Sequence, residues 1–227
     1  ICKIIYKSTN MVSKKINFKS KAELWFPTVI WETELDDKSR KEVNSEILDY
    51  LEPYLKSKKL SQSNIIISET DMHEDKKTKS LNHFLNRAVF EYLKFFNLEH
   101  HDFFISGCWA NVSRTNFVHY NHSHQNNFVS GVYYVQTTKD KSDQIHFNDP
   151  REQNKVLIPQ PSKQTKLNTT GAVCKARSGV AYLFPSWLRH EVPVNTSNDE
   201  RISVAFNAMF KDFSKMTPPG FLSSKLD

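Results

Sequence analysis

Hydrophobic residues recur at helical spacing in two segments of the first hundred residues. The first segment covers residues 36–55 and the second covers residues 80–96, with apolar positions at Val43, Ile47, Leu48, Leu51 and Leu55, then Leu81, Phe84, Leu85, Ala88, Tyr92, Leu93 and Phe96. This recurrence predicts two amphipathic helices. Asp36 or Asp37 can cap the first helix, and Pro53 falls in its last turn.

From residue 105 onward the apolar pattern changes to short runs that are typical of β-strands. These runs are ISGCWANVS, FVSGVYYVQ, QIHFND, KVLIP, GVAYLF and RISVAFNAMF. An earlier run, LWFPTVIWE at residues 24–32, predicts an extended segment at a sheet edge, because Pro27 cannot donate a ladder hydrogen bond. Helices first and strands afterwards predict an α+β fold, a double-stranded β-helix (jelly roll, cupin-like) with the two N-terminal helices packed outside.

The length of 227 residues suits one domain with a sizeable core. We expect a flexible basic leader at residues 1–22, a single domain at 23–213 and a C-terminal tail at 214–227. Lys and Arg outnumber Asp and Glu by 31 to 25, and the basic residues are dispersed except in the leader, which holds Lys3, Lys7, Lys14, Lys15, Lys19 and Lys21. No aromatic residues interleave with these lysines in the manner of a nucleic-acid-binding patch, so a nucleic-acid partner is not expected.

Cysteine usage and hydropathy bear on the compartment. Cys2, Cys108 and Cys174 are odd in number and lack metal-binding spacing, which indicates packing residues in a reducing environment. No apolar run approaches the roughly 20 residues of a membrane span, and the opening ICKIIYK lacks the apolar stretch of a signal peptide. We therefore expect a soluble cytoplasmic protein with no membrane partner.

Three histidines have a spacing that suits a metal site. His122 and His124 flank one serine just before a predicted strand, where alternation would point both imidazoles to the same side. His190 follows GVAYLFPSWLR, a strand that runs into a proline-containing turn. A near pair and a distant histidine on facing strands are a common way to bind iron with open coordination positions.

Arg201 and Ser203 follow the third histidine on the next predicted strand. They would share one face of that strand, while Ile202, Val204 and Phe206 take the other. A guanidinium beside a hydroxyl suits a buried carboxylate, because arginine binds carboxylates in a bidentate manner and stays charged when desolvated. The 5-carboxylate of 2-oxoglutarate is the ligand we expect there.

Four motifs in a fixed order carry a family resemblance: HSHQNNFVSGVYYV, FNDPR, GVAYLFPSWLRHEV and DERISVAFN, preceded by LWFPTVIWETEL. With them the chain resembles, over residues 23–210, a family of iron(II)- and 2-oxoglutarate-dependent oxygenases of marine bacteria and their phages, built on the prolyl-hydroxylase-like double-stranded β-helix. The resemblance implies that 23–213 is an oxygenase domain, with His122 and His190 as the proximal and distal ligands of Fe(II).

The resemblance also implies the residues that hold 2-oxoglutarate. Arg201 and Ser203 would anchor the cosubstrate, and Tyr134 and Asn111 would hydrogen-bond it. Tyr133 is an alternative to Tyr134. By the same resemblance Arg151 would meet the substrate.

One position departs from the wider superfamily, in which the second metal ligand is a carboxylate in an H-x-D or H-x-E motif. Here that position is His124, so three imidazoles would hold the iron and leave it with its full 2+ charge before cosubstrate binds. Asp149 in FNDPR is a reserve ligand, although Asp-Pro after a strand is a turn signal. The remaining histidines are expected in surface or packing roles: His73, His83, His100, His101, His119 and His146.

The function that follows is a dioxygenase, a hydroxylase that couples 2-oxoglutarate decarboxylation to oxidation of a substrate, with peptides or proteins preferred over small molecules. Its partners would be 2-oxoglutarate, O2 and that substrate, and a phage-encoded enzyme would work in the bacterial host cytoplasm. Two alternatives stay open. One is a cupin-type metalloenzyme with a three-histidine site that does not use 2-oxoglutarate, and the other is a catalytically silent jelly-roll binding module.

Overall fold

Two antiparallel sheets and two helices form the molecule in a computed structural model that describes residues 19–57, 62–138, 142–151 and 156–221. Most of the expected leader, including Cys2, lies outside the described residues, as does the end of the expected tail. In chain order the helices and strands are β1 (Trp31–Glu34), α1 (Asp37–Leu55), β2 (Ile65–Ile67), α2 (Lys79–Phe95), β3 (Phe103–Ser113), β4 (His119–His122), β5 (Val129–Gln136), β6 (Gln144–Asn148), β7 (Gly171–Lys175), β8 (Val180–Pro185), β9 (His190–Val192) and β10 (Arg201–Phe210). Short 3-10 helices cover Met72–Glu74, Lys76–Thr78 and Phe213–Lys215.

The strands form a six-stranded major sheet, in the order β1-β8-β5-β10-β3-β2, and a four-stranded minor sheet, in the order β4-β9-β6-β7. Their pairing is antiparallel. The two sheets face each other as a double-stranded β-helix, and the predicted α+β fold class with two N-terminal helices is confirmed. Strands distant in sequence become neighbours in this topology, which brings residues near 111, 134 and 203 together.

Alternation along the major sheet separates two hydrophobic cores. On the outer face, Ile202, Val204 and Phe206 of β10 pack in one cluster with buried residues of α1 and α2. On the inner face, a second cluster fills the space between the sheets and contains Tyr134, Ile145, Phe147, Tyr182, Phe184 and Leu188. The helices therefore stabilise the sheet from outside, and the inner face is left to form a pocket.

The predicted helices are confirmed, with small changes at their ends. α1 begins at Asp37 because the Asp36 carboxylate accepts a hydrogen bond from the Ser39 N–H at 2.8 Å, which is N-capping geometry. The helix continues through Pro53 to Leu55. β1 lies at the edge of the major sheet as predicted, although it begins at Trp31, after the Pro27 segment.

One strand prediction was wrong, and three short strands were missed. The KVLIP run is not a strand in its described part, where Val156, Leu157 and Ile158 are exposed to solvent. Those side chains are mostly exposed, so their apolar character was misleading as a sign of a buried strand. The missed strands are β2, β4 and β7, whose three to five residues are too short to show a clear alternation.

Two further sequence expectations concern thiols and membranes. Cys108 is buried and Cys174 is half-buried, and both are free thiols. Within the ranges described above, neither α1, α2 nor any shorter helix has the length and apolar character needed to cross a bilayer.

A glycine at the centre of the major sheet makes the packing testable. A Cβ added to Gly131 would overlap the ring of buried Phe206, whereas one added to Gly107 would lie 3.6 Å from the nearest atom of Trp109, an ordinary contact. We expect Gly131→Ala to destabilise the protein by roughly 1–3 kcal/mol. Each kcal/mol should lower Tm by about 2–4 °C. Thermal denaturation of both variants checks this, and equal melting of Gly131→Ala and Gly107→Ala would contradict it.

Candidate active site

Three histidines meet where the minor sheet faces the major sheet. β4 and β9 are antiparallel neighbours, and their register places His122 directly opposite His190. His124 lies two residues beyond the end of β4, and its backbone N–H donates to the Ser186 carbonyl at 2.9 Å. Ser186 belongs to the turn that precedes His190, so this hydrogen bond fixes the position of His124 relative to the third histidine.

The three imidazoles have the spacing of a metal-binding cluster. One ring nitrogen from each of His122, His124 and His190 lies within 4.8 Å of the other two. The Nε2 atoms of His124 and His190 are 3.3 Å apart. Two ligands at right angles, each about 2.1 Å from a metal, would be about 3 Å apart, so these nitrogens need little movement to share one ion.

Backbone carbonyls set the tautomers of two of these histidines. Nδ1 of His122 donates to the Tyr120 carbonyl at 2.7 Å, and Nδ1 of His190 donates to the Leu188 carbonyl at 2.9 Å. A carbonyl can only accept, so the proton is on Nδ1 and the lone pair is on Nε2, as in many metal-ligating histidines.

Burial keeps two of the three histidines neutral. It lowers the pKa of His124 to about 4 and that of His190 to about 3, because desolvation disfavours the charged imidazolium. Neutral imidazoles are the form that binds a metal, so His124 and His190 are ready to accept a cation at neutral pH.

The reserve ligand Asp149 is engaged elsewhere. The Arg151 guanidinium forms a fork with its carboxylate, with Nε at 2.9 Å from Oδ1 and Nη2 at 2.6 Å from Oδ2. Among the described residues the cluster suited to a metal contains the three histidines and does not include Asp149. Arg151, which resemblance assigned to the substrate, is here the partner of Asp149.

The side chains predicted for 2-oxoglutarate are brought together by strand register. Ser203 of β10 lies opposite Asn111 of β3 on one side and opposite Tyr134 of β5 on the other. Tyr134 belongs to the cluster between the sheets, whereas Tyr133 packs in the outer core and its hydroxyl donates to Asn44 Oδ1 of α1 at 2.6 Å. The structure therefore places Tyr134, and not Tyr133, on the pocket side.

Arg201 brings a buried positive charge to this pocket. Its side chain is 3% exposed, and Nη1 donates to the Ser142 carbonyl at 2.9 Å and lies 4.0 Å from Oδ1 of Asp143. Burial lowers the pKa of the guanidinium, while Tyr134 and Asp143 act in the opposite direction. Arginine remains charged in proteins even so.

Several buried atoms around Arg201 lack a hydrogen-bond partner among the described residues. They include Arg201 Nη2, the Tyr134 hydroxyl and Asn111 Oδ1. Buried polar groups are normally hydrogen-bonded, so such a group points to a ligand. Two of these atoms are donors, and rotation of the Asn111 amide presents a third, which together fit a carboxylate. The residues present thus fit 2-oxoglutarate.

His119 lies beside the metal cluster, a position that sequence reasoning missed. Its ring packs edge-on against Phe117, with centroids 4.8 Å apart, and lies 6.1 Å from the ring of His122. An odd spacing of three residues would normally place two side chains on opposite faces of a strand. A register irregularity between positions 119 and 122 removes that difference, and simple alternation could not have revealed it.

Comparisons with known proteins agree with this geometry. The model of a family described as "Putative 2OG-Fe(II) oxygenase" matches residues 107–207, the part of the chain that holds the three histidines and Arg201. No curated protein sequence matches the chain significantly.

Solved structures show the same fold at low sequence identity. A Pseudomonas putida prolyl-4-hydroxylase is similar with a TM-score of 0.55 and 12% identity, over 80% of this chain and 92% of that one. A Trichoplax adhaerens prolyl hydroxylase, in complex with a hypoxia inducible factor peptide fragment, has a TM-score of 0.53 and 13% identity over 79% and 83%. HygX from Streptomyces hygroscopicus, with nickel and 2-oxoglutarate bound, has a TM-score of 0.55 and 12% identity over 82% and 84%.

These observations converge on one class of enzyme. The family match covers the strands that carry the site, the fold is the double-stranded β-helix, and a three-histidine cluster lies between its sheets. Over residues 107–207 the chain is similar to the 2OG-Fe(II) oxygenases, and this similarity together with the three-histidine cluster indicates an oxygenase that uses iron(II) and 2-oxoglutarate.

Proposed function

We propose that the chain is a hydroxylase that holds iron(II) with His122, His124 and His190 and anchors 2-oxoglutarate with Arg201, Ser203, Tyr134 and Asn111. The observation that carries this assignment is the buried Arg201 guanidinium, whose Nη2 has no hydrogen-bond partner among the described residues. A cupin-type metalloenzyme that does not use 2-oxoglutarate leaves this cation unexplained.

Each group then has a defined task. Bound iron(II) would supply the oxidising chemistry, in which substrate, O2 and 2-oxoglutarate give hydroxylated substrate, succinate and CO2. Arg201 pairs with the 5-carboxylate, and the Tyr134 hydroxyl donates a hydrogen bond to the same group. Phe147 and Phe184, both buried, pack against His190 with ring centroids 6.1 and 4.7 Å away and keep water from that side of the cluster.

The three imidazoles give this site a different charge from a site with two histidines and a carboxylate. No protein carboxylate neutralises the metal, so the 2-oxoacid end of the cosubstrate would meet a full 2+ charge instead of 1+. The neutral state of His124 and His190 at pH 7 supports this assignment. We expect the higher charge to strengthen chelation of the anionic cosubstrate.

A peptide or protein side chain is the substrate we favour. Two of the structurally similar proteins are prolyl hydroxylases, and one of them holds a peptide fragment. Small molecules are the competing substrate class, and incubation with peptide and metabolite mixtures, read by a 16-dalton mass increase, separates the two.

The setting of the enzyme is part of the proposal. We retain a single oxygenase domain over residues 23–213 and a cytoplasmic location, which the free thiols of Cys108 and Cys174 support. Origin in a marine bacterium or its phage is likewise a prediction from the motifs alone.

The proposed chemistry is tested by anaerobic titration of the iron(II)-loaded protein with 2-oxoglutarate. Chelation of the 2-oxoacid should produce a weak visible metal-to-ligand charge-transfer band. The band should saturate at one equivalent of 2-oxoglutarate per bound iron. Bound iron without such a band would contradict the 2-oxoglutarate assignment and favour the cupin-type alternative. Failure to bind iron at all would favour the silent binding module.

A further inference from the structure

The strand β4 begins at one histidine and ends at another. Its last residue, His122, belongs to the metal cluster, and its first residue, His119, lies three positions earlier. At roughly 3.3 Å per residue, the two positions are about 10 Å apart along the strand.

Backbone contacts place His119 near the Arg201 end. Ser113, at the end of β3, pairs with Arg201, and its carbonyl accepts a hydrogen bond from the buried Asn195 side chain at 3.1 Å. The Asn195 N–H donates to the Phe117 carbonyl at 2.9 Å. His119 follows Phe117 by two residues, so it is tied through this chain of contacts to the start of β10.

The His119 ring has a fixed position and free hydrogen-bonding capacity. Phe117 packs edge-on against it, and Val192 of β9 is its strand partner. Among the described residues, no side chain or backbone group hydrogen-bonds either ring nitrogen, and neither nitrogen is a fully buried unsatisfied atom. An imidazole always carries at least one N–H, so the ring has a donor that no described protein group uses.

We propose that His119 donates a hydrogen bond to the 5-carboxylate of 2-oxoglutarate from the minor sheet, facing Arg201 and Ser203 of the major sheet. This proposal rests on the proposed function, because it assumes that Arg201 binds the same carboxylate. His119 is then a cosubstrate-binding residue and not a metal ligand. It binds the 5-carboxylate from the side opposite the major-sheet strands β3, β10 and β5.

Two variants and two ligands test the proposal. His119→Phe keeps an aromatic ring against Phe117 but removes the donor, and His119→Gln keeps a donor in a different shape. The ligands are 2-oxoglutarate and 2-oxopentanoate, a 2-oxoacid of the same chain length without the distal carboxylate. Dissociation constants come from the charge-transfer band of anaerobic iron(II)-loaded protein, and bound iron is measured separately by elemental analysis.

We expect His119→Phe to bind iron as the parent does and to bind 2-oxoglutarate about 10- to 100-fold more weakly, the range for a hydrogen bond to a charged group. Binding of 2-oxopentanoate should be unchanged, and His119→Gln should recover part of the loss. Unchanged 2-oxoglutarate affinity in His119→Phe, equal weakening for both ligands, or loss of iron would each overturn the proposal. If the parent protein itself does not chelate 2-oxoglutarate, that result contradicts the proposed function as well as the role of His119.

Discussion

His190→Ala is expected to abolish iron(II) binding while leaving a folded protein. His190 is 4% exposed, and its Nε2 lies 3.3 Å from that of His124, so its removal takes away one of three ligands from an otherwise intact cluster. Loss of an outer partner of a metal ligand typically costs about 10- to 100-fold in metal affinity, and loss of the ligand itself should cost more.

The measurement combines elemental analysis with thermal denaturation. Iron(II) at 100 times its dissociation constant should stabilise the parent protein by about 2.7 kcal/mol. This corresponds to a rise in Tm of roughly 5–11 °C. We expect no such rise for His190→Ala, whereas His83→Ala, on the exposed face of α2, should behave like the parent. An iron-dependent rise in Tm that persists in His190→Ala would remove this histidine from the metal site.

Arg201→Met is expected to weaken 2-oxoglutarate binding by at least about 30-fold, because truncating one partner of a buried charge pair typically costs 2–5 kcal/mol. Methionine keeps the length of the arginine stem but offers no donor. Iron content should not change, because the guanidinium does not contribute to the metal cluster. Titration of the charge-transfer band gives the affinity directly.

The carboxylate of Asp143 lies beside Arg201, so Arg201→Met can also change the stability of the protein. A second variant separates this effect from the effect on binding. Asp143 is buried 4.0 Å from Arg201 Nη1, so Arg201→Met leaves its negative charge without that counterion. The pair Arg201→Met and Asp143→Asn should regain stability without regaining affinity for 2-oxoglutarate. Recovery of affinity in the double variant would show that Arg201 acts through folding and not through contact with the cosubstrate.

The sequence predicted the parts of this site that depend on regular alternation. The motif of His122 and His124, the placement of Arg201 and Ser203 on one face of β10, and the two amphipathic helices all follow from periods of two and 3.6 residues. The structure agrees with that face of β10, because Ile202, Val204 and Phe206 pack in the outer core.

The rest depended on contacts that no periodicity encodes. Tyr133 and Tyr134 are adjacent aromatic residues, and only their packing, against Asn44 on one face and between the sheets on the other, separates them. His119 comes close to His122 through a register irregularity in a four-residue strand. Asp149 forms a salt bridge with Arg151 and is not part of the metal cluster, which a turn signal alone does not reveal.

The pairing of β4 with β9 also bears on how the protein folds. His122 and His190 are strand partners although 68 positions separate them, and β3 pairs with β10 over a greater separation still, from Phe103 to Phe210. Such non-local contacts form late and slowly, because the intervening chain must lose its freedom first. Iron cannot find its three ligands in one place until these strands have met. Metal binding should therefore lower the rate constant of unfolding many-fold and leave the rate constant of folding nearly unchanged.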